Sequence, residues 1–193
     1  MYDRDMPAMR AHALASPERF TDVVAFVLCT IRQPLQTVAG QMADIRANGA
    51  KSAVLFGSKR AGYQYALDHA AELLSAVRGA HAAAEAVDVL TAIPGLGIVK
   101  AAFVAQICGF EVACLDTHNL RRLGMAEASL KLAKSVKPET RRRKIASYVA
   151  LCASTGGARH WWNTWCEFVA GNRANRSLAT ADMVSAFHVA CLV

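Results

Sequence analysis

Apolar residues recur along most of this chain at the spacing of three to four positions that is typical of amphipathic helices. In the segment 17–32 they would share one helical face: Phe20, Val23, Val24, Val27, Leu28 and Ile31. Ser16 can cap this helix, Pro17 can begin it, and Pro34 forces a break after it. The sequence has no strict alternation of apolar and polar residues of the kind that a half-buried strand shows. The pattern therefore predicts an all-α protein.

The same periodicity predicts further helices along the rest of the chain. They fall at about 35–47, 51–57, 60–77, 81–92, 98–108, 126–135, 139–153, 158–170 and 179–190. The pairs Gly156-Gly157 and Gly171-Asn172 are typical helix stops. We find neither internal repeats nor low-complexity linkers, apart from an enrichment in alanine.

Composition sets the size and the charge of the protein. The chain of 193 residues is 54% hydrophobic, which is enough for one helical domain or for two lobes that share a core. Its formal net charge of +7 suits a polyanionic partner, although a basic protein with no such partner would have the same balance. No run of about eighteen apolar residues is present, so we expect no membrane span. The first residues lack a signal-peptide core, and a cytoplasmic location is expected.

The cysteines argue against both disulfides and metal. The six are Cys29, Cys108, Cys114, Cys152, Cys166 and Cys191. None forms a C-x2-C pair and most lie in apolar helical stretches, so reduced and buried thiols are expected. Zinc ligation by Cys108, Cys114 and His118 is the weaker alternative. We predict no metal and no cofactor.

One short motif can bind a phosphate. Gly95 and Gly97 in the sequence Ile93-Pro94-Gly95-Leu96-Gly97 permit backbone conformations with positive φ, and an apolar helix follows them. Several amide N–H groups could then converge on an anion at the helix N-terminus. A plain turn between two helices is the alternative for so short a motif. About twenty residues further on, Asp116 in Leu115-Asp116-Thr117-His118-Asn119 can cap a helix and present a carboxylate.

Taken together, these segments resemble a known family. IPGLG, KAAFVAQICGF and LDTHNLRRLG are similar to the helix-hairpin-helix and catalytic-aspartate signature of the endonuclease III-like DNA glycosylases, and the specific part of the likeness covers 90–124. The resemblance implies a helical barrel lobe at 20–140 and a second lobe made of 1–19 and 141–193, with a cleft for double-stranded DNA between them. The form C-L-D-T-H-N also resembles small phage-encoded members linked to thymine hypermodification, for which the location would be the host cytoplasm.

The resemblance implies roles for particular residues. Asp116 would be catalytic, and His118 and Asn119 would contact the sugar, a phosphate or the extruded base. Gln33, and similarly Arg32, would fill the gap that the base leaves. The DNA phosphates would be bound by the hairpin and by nearby basic residues: Gly95, Leu96, Gly97, Lys100, Arg121 and Arg122. Local alternatives stay open, since Asp116 can serve as an N-cap only, and Lys100 can be a solvated helix residue.

The chain also departs from the family pattern. Members that also cleave the DNA strand carry a Schiff-base lysine two residues after the second hairpin glycine, where this sequence has Val99. Lys100 is one residue further, which is a rotation of about 100° around a helix. We therefore expect no lyase reaction through the usual lysine. Only Cys191 follows Cys166, so the family's four-cysteine iron–sulfur cluster cannot be built in the usual way.

Two other groups of residues have two interpretations each. Trp161, Trp162 and Trp165 can pack between the lobes or stack on bases. The basic segment 131–144 can follow DNA phosphates or form a solvated face; its cations are Lys131, Lys134, Lys137, Arg141, Arg142, Arg143 and Lys144.

Three functions are compatible with the sequence. The leading one is a monofunctional DNA glycosylase that hydrolyses the N-glycosidic bond of a modified or damaged base with Asp116. The second is a hypermodification enzyme that displaces a group at the 5-substituent of a modified pyrimidine in DNA. The third is a DNA-binding module without catalysis.

Overall fold

The computed structural model describes residues 1–31, 33, 35–133, 135–174 and 187, without the side chains of 35, 36, 127 and 168–174. Within these residues every regular element is helical, which confirms the all-α prediction. Ten α-helices follow one another: α1 Tyr2–Ala13, α2 Pro17–Cys29, α3 Leu35–Asn48, α4 Ser58–Asp68, α5 Ala70–Gly79, α6 Ala83–Leu90, α7 Ile98–Ile107, α8 Thr117–Arg122, α9 Pro138–Ser154 and α10 Gly157–Ala174. None of the helices in the described part of the chain is long and apolar enough to span a bilayer.

Helix α1 was not predicted from the sequence. Asp3 and Asp5 lie in its first turn beside Arg4, and Arg10 and His12 lie in its last turn, where the helix dipole favours basic residues. Met6, Met9 and Ala13 are buried at helical spacing, but the charged residues between them and Pro7 inside the helix weaken the periodic signal.

Three predicted helices differ from the structure, and the predicted helix stop at Gly171-Asn172 is wrong because α10 continues to Ala174. The helix at 51–57 is wrong: a short 3₁₀ turn at Gly49–Lys51 leads into a loop that ends at Gly57, where φ is +53°. The helix at 60–77 is divided by His69, whose φ of −120° and ψ of 20° interrupt the α conformation. Among the described residues of the segment 126–135, the only regular element is a 3₁₀ turn, Glu127–Leu130. The prediction for 179–190 lies almost wholly outside the described residues.

Helices α2 and α7 form the centre of the molecule. Every residue of α2 from Val23 to Cys29 is buried, and α2 packs against α1, α3, α4, α5 and α7. In α7 every residue from Ala101 to Ile107 is buried. A helix that is apolar on all sides must be enclosed by others, so these two set the arrangement of the remainder.

Helix α1 is fastened to α10 across the length of the sequence. The Tyr2 amide donates to Asn163 Oδ1 at 2.9 Å, and Trp162 Nε1 donates to Asp5 Oδ2 at 3.2 Å. Trp161 and Trp162 are buried, which favours packing over base stacking, while Trp165 is half-buried. The division into lobes at positions 20 and 140 stays a prediction.

A close approach joins α4 to the turn before α7. A Cβ atom at Gly62 would lie 2.1 Å from the Pro94 carbonyl oxygen, and a Cβ at Gly95 would lie 3.1 Å from the Ser58 carbonyl oxygen. The helix backbone and the Pro94-Gly95 turn therefore touch without intervening side chains.

We expect Gly62→Ala to lower the free energy of unfolding by about 3 kcal/mol, because the new methyl group must push the Pro94 turn away from α4. Gly40→Ala is the matched control: this helical glycine has no atom within 4 Å of its added Cβ. It should raise stability by about 0.5–1 kcal/mol. Urea denaturation of both variants would test this, and equal stabilities would contradict the packing described here.

Candidate active site

The turn before α7 is built around Gly95. Gly95 has φ of +86° and is exposed, and the Leu96 amide closes the turn on the Ile93 carbonyl oxygen at 3.1 Å. The Leu96 side chain lies in the core, so this residue anchors the turn. Gly97 has φ of −77° and ψ of 176°, an extended conformation that any residue adopts. The expectation that positive φ explains both glycines therefore holds for Gly95 and is wrong for Gly97.

Gly97 is the N-cap of α7. Its carbonyl oxygen accepts from the amides of Lys100 and Ala101 at 3.0 and 2.9 Å. The amides of Gly97, Ile98 and Val99 come too early in the helix to have an acceptor within it. They lie at the positive end of the helix dipole and beside an exposed glycine, an arrangement that can accept an anion.

Asp116 is the N-cap of α8. Its Oδ1 accepts from the amides of His118 and Asn119, both at 3.0 Å, and the residue is half-buried. Within the described chain no hydrogen bond to Oδ2 is formed. The carboxylate is thus held by one oxygen and can present the other to a ligand.

Buried side chains fix the extended segment that leads to Asp116. The Tyr148 hydroxyl donates to the Ala113 carbonyl at 2.7 Å and accepts from the Leu115 amide at 2.9 Å. The buried Gln106 accepts from the Cys114 amide at 3.2 Å. These contacts tie the segment before the carboxylate to buried side chains of α7 and α9.

The two residues proposed to contact the base or sugar lie in different environments. Asn119 is 2% exposed, and its Nδ2 donates to the Cys114 carbonyl at 3.2 Å. That contact ties α8 to the preceding segment. His118 is exposed, and so are Arg121 and Arg122 in the last turn of the same short helix.

Lys100 points towards the end of α2. Its Nζ donates to Thr30 Oγ1 at 3.2 Å and lies 5.6 Å from the centre of the Phe103 ring. Burial raises the pKa of the Cys114 thiol to about 12, while the charge of Lys100 opposes that increase and the charge of Asp116 adds to it. The Cys114 thiol is thus within electrostatic range of both Lys100 and Asp116. The exposed Gln33 follows Thr30 by three residues.

Two residues near this site, Lys59 and Phe56, were not predicted from the sequence because no motif marks them. Lys59, in the first turn of α4, is 8% exposed, and its Nζ lies 5.5 Å from the centre of the Phe56 ring. Burial lowers the pKa of Lys59; Cys29 acts in the opposite sense, and the Lys100 ammonium adds to the decrease. Phe56 is 61% exposed, two residues before the Ser58 carbonyl that contacts the Gly95 turn.

Part of the basic segment 131–144 has a structural role. Arg141 Nε pairs with Asp88 Oδ1 at 2.6 Å, which joins α9 to α6, and Arg142 Nε lies 3.6 Å from Asp88 Oδ2. Lys144 Nζ donates to the Lys131 carbonyl at 2.9 Å. Lys137 and Arg143 are exposed, and Lys134 lies outside the described residues, as does Arg32.

No disulfide or metal cluster is found among the residues that can be described. Five cysteines are free thiols there: Cys29, Cys108, Cys114, Cys152 and Cys166. No group of three histidine, cysteine or acidic side chains in that part of the chain could hold a metal ion. Cys191 lies outside it.

Comparison of the chain with protein-family models, with curated proteins and with solved structures gives no match. A functional assignment must therefore come from the geometry and chemistry of this site.

Tyr148→Phe should lower the free energy of unfolding by about 1–3 kcal/mol, because the Ala113 carbonyl and the Leu115 amide lose their buried partner. Tyr65→Phe is the control, since that hydroxyl makes no hydrogen bond with the described residues. Denaturant unfolding measures both changes. Equal stability of the two variants would show that the hydroxyl does not hold the segment before Asp116.

Proposed function

We propose that this chain binds double-stranded DNA and hydrolyses the N-glycosidic bond of an extruded, modified or damaged base. One observation carries the proposal: Asp116 caps α8 with Oδ1, leaves Oδ2 available, and follows a segment whose Cys114 amide is bound by Gln106 of α7. A fixed carboxylate is thus near the helix whose first amides can bind a phosphate. The likeness of segment 90–124 to the endonuclease III-like signature points to the same chemistry.

The reaction needs a carboxylate beside the sugar. As the bond between base and sugar breaks, positive charge develops on the sugar ring in an oxocarbenium-like transition state. A carboxylate oxygen nearby stabilises that charge and can orient or deprotonate the attacking water. In this proposal Oδ2 of Asp116 performs both tasks, while the two amides on Oδ1 prevent the group from turning away.

Access to the bond requires extrusion of the nucleotide from the helix. We infer that Phe56 and Gln33, which are both exposed, contact the stacked bases on either side of the gap. An exposed phenylalanine offers an apolar face to a neighbouring base. Its position beside the Gly95 turn supports this role, because the turn would bind the backbone close by.

The phosphate contacts come from two helix ends. The free amides at the start of α7 would bind one phosphate directly, with Gly95 and Gly97 allowing the backbone of the DNA to come close. The exposed Arg121 and Arg122 would pair with phosphates further along the strand. Binding of this kind weakens as salt rises.

Gly97→Ala tests the phosphate site without disturbing the fold. The added Cβ meets no atom within 4 Å and the backbone is extended, so the free energy of unfolding should fall by no more than about 1 kcal/mol, the usual cost of alanine at an N-cap. The methyl group would stand where the phosphate approaches, and affinity for duplex DNA should fall about tenfold, a loss of about 1.4 kcal/mol. Fluorescence anisotropy with a short labelled duplex measures it. Unchanged affinity in a stable variant would remove the hairpin from the DNA interface.

The reaction is tested by the intact mass of short duplexes after incubation with the protein. The panel carries uracil, 8-oxoguanine, 3-methyladenine, 5-hydroxymethyluracil or its pyrophosphate ester. The wild type should release one base, and Asp116→Asn should reduce the rate by at least about 100-fold. Asp68→Asn, at an exposed position of α4, is the control and should act as the wild type does.

The other outcomes identify the other functions. A mass change with the base retained would indicate an enzyme that alters the substituent of the base. Tight binding with no mass change would indicate a DNA-binding module without catalysis.

A further inference from the structure

Two lysine ammonium groups lie near one another at the C-terminal end of α2. Lys100 Nζ donates to the hydroxyl of Thr30, the residue that follows α2. Burial raises the pKa of Cys29, the last residue of the helix, and the charge of Lys59 opposes that increase. The two lysines come from different helices, α4 and α7, and no sequence motif links them. These helices meet where the Ser58 carbonyl oxygen contacts the turn before α7, so the first turns that carry Lys59 and Lys100 adjoin. The charge of Lys100 also contributes to the lowered pKa of Lys59.

Neither ammonium has an acidic partner in the described structure. No carboxylate of the described residues lies within 4.0 Å of either Nζ. Arg4, Arg141 and Arg159, in contrast, each pair closely with an aspartate. Each side chain instead contacts an aromatic ring, Phe56 for Lys59 and Phe103 for Lys100. The Lys59 residue is only 8% exposed. Two like charges with restricted solvation and no counter-charge form an unfavourable arrangement unless an anion occupies the site.

The available donors suit a phosphoryl group. An ammonium carries three N–H bonds, and Lys100 uses one of them on Thr30 Oγ1. Two remain on Lys100 and three on Lys59, enough to bind several oxygens of one anion. The double positive charge matches a phosphate dianion better than a single carboxylate, and lysine binds phosphate as a point charge with adaptable donors.

We propose that Lys59 and Lys100 together form an anion site that takes a phosphoryl group. This site differs from the amides at the start of α7 in its donors, which are side-chain ammonium groups, one of them bonded to Thr30 after α2. Its use on DNA rests on the proposed function. The phosphoryl group would then be either a backbone phosphate next to the extruded nucleotide or a phosphorylated substituent on the base itself.

The first experiment needs no DNA. The unfolding temperature is measured in millimolar pyrophosphate and in sodium chloride of equal ionic strength, for the wild type, Lys59→Met, Lys100→Met and the double variant. Methionine keeps the apolar stem and removes the charge. Pyrophosphate should raise the midpoint of the wild type by several degrees, the single variants should lose most of that rise, and the double variant all of it. Lys51→Met removes an exposed charge close to α4 in the sequence and should keep the full rise.

A second measurement identifies the source of the phosphoryl group. If the phosphoryl group is a backbone phosphate, the negative slope of log affinity against log salt becomes less steep by about 0.9 in each variant, with any duplex. If it is a substituent of the base, the slope for plain duplex is unchanged and the variants lose preference for a duplex carrying phosphorylated 5-hydroxymethyluracil. Either result supports the site and tells which phosphoryl group it takes.

The proposal is overturned if pyrophosphate gives the wild type no more protection than chloride does, or if the double variant keeps the protection. Lys100→Met alone decides the matter should Lys59→Met fail to fold. Failure here is distinct from failure of the proposed function: base release that depends on Asp116 can be observed without pyrophosphate protection, and protection can be observed in a protein that releases no base.

Discussion

The Pro94 carbonyl oxygen occupies the space where a side chain at position 62 would stand, and the rest of the candidate site depends on that contact. It seats the Gly95 turn directly on α4. The first turn of α4 then brings Ser58 and Lys59 beside the start of α7, and the loop before α4 presents Phe56 next to them. One backbone contact, possible only at glycine, thus assembles groups from three separate stretches of sequence.

The site combines rigid supports with exposed ends. The segment before Asp116 is held by the buried side chains of Tyr148 and Gln106, whose polar atoms are all hydrogen-bonded, and the helix that Asp116 caps presents His118 and two arginines to solvent. Such a combination is what catalysis at a fixed carboxylate requires, because a group already held in place needs little reorganisation when charge develops next to it. The carboxylate and the free amides of the site lie at helix ends, and the buried interiors of α2 and α7 form the core that supports them.

Local features of this fold could be predicted from the sequence, and long-range ones could not. Ser16 caps α2 through the Arg19 amide at 3.3 Å, and Asp116 caps α8, both as their residue types and positions indicate. Lys59, Phe56 and Tyr148 were missed because their importance comes from neighbours that are distant along the chain. Lys100 was expected to contact a phosphate or solvent, and its contact with Thr30 across 70 positions has no signal in the residues around it. The helix predicted at 51–57 is wrong because the apolar residues there belong to a loop, whose Leu55 side chain is buried in the core.

The fastening of α1 to α10 has a consequence for the order in which the chain can fold. The Tyr2 and Asp5 contacts span 161 and 157 positions, so these two contacts of α1 cannot form until α10 is available. Contacts so far apart in sequence form late, since a long loop must close before they contribute. During synthesis the buried face of α1, with Met6 and Met9, is therefore exposed until α2 emerges, and Asp5 and Trp162 meet only after α10 has been made.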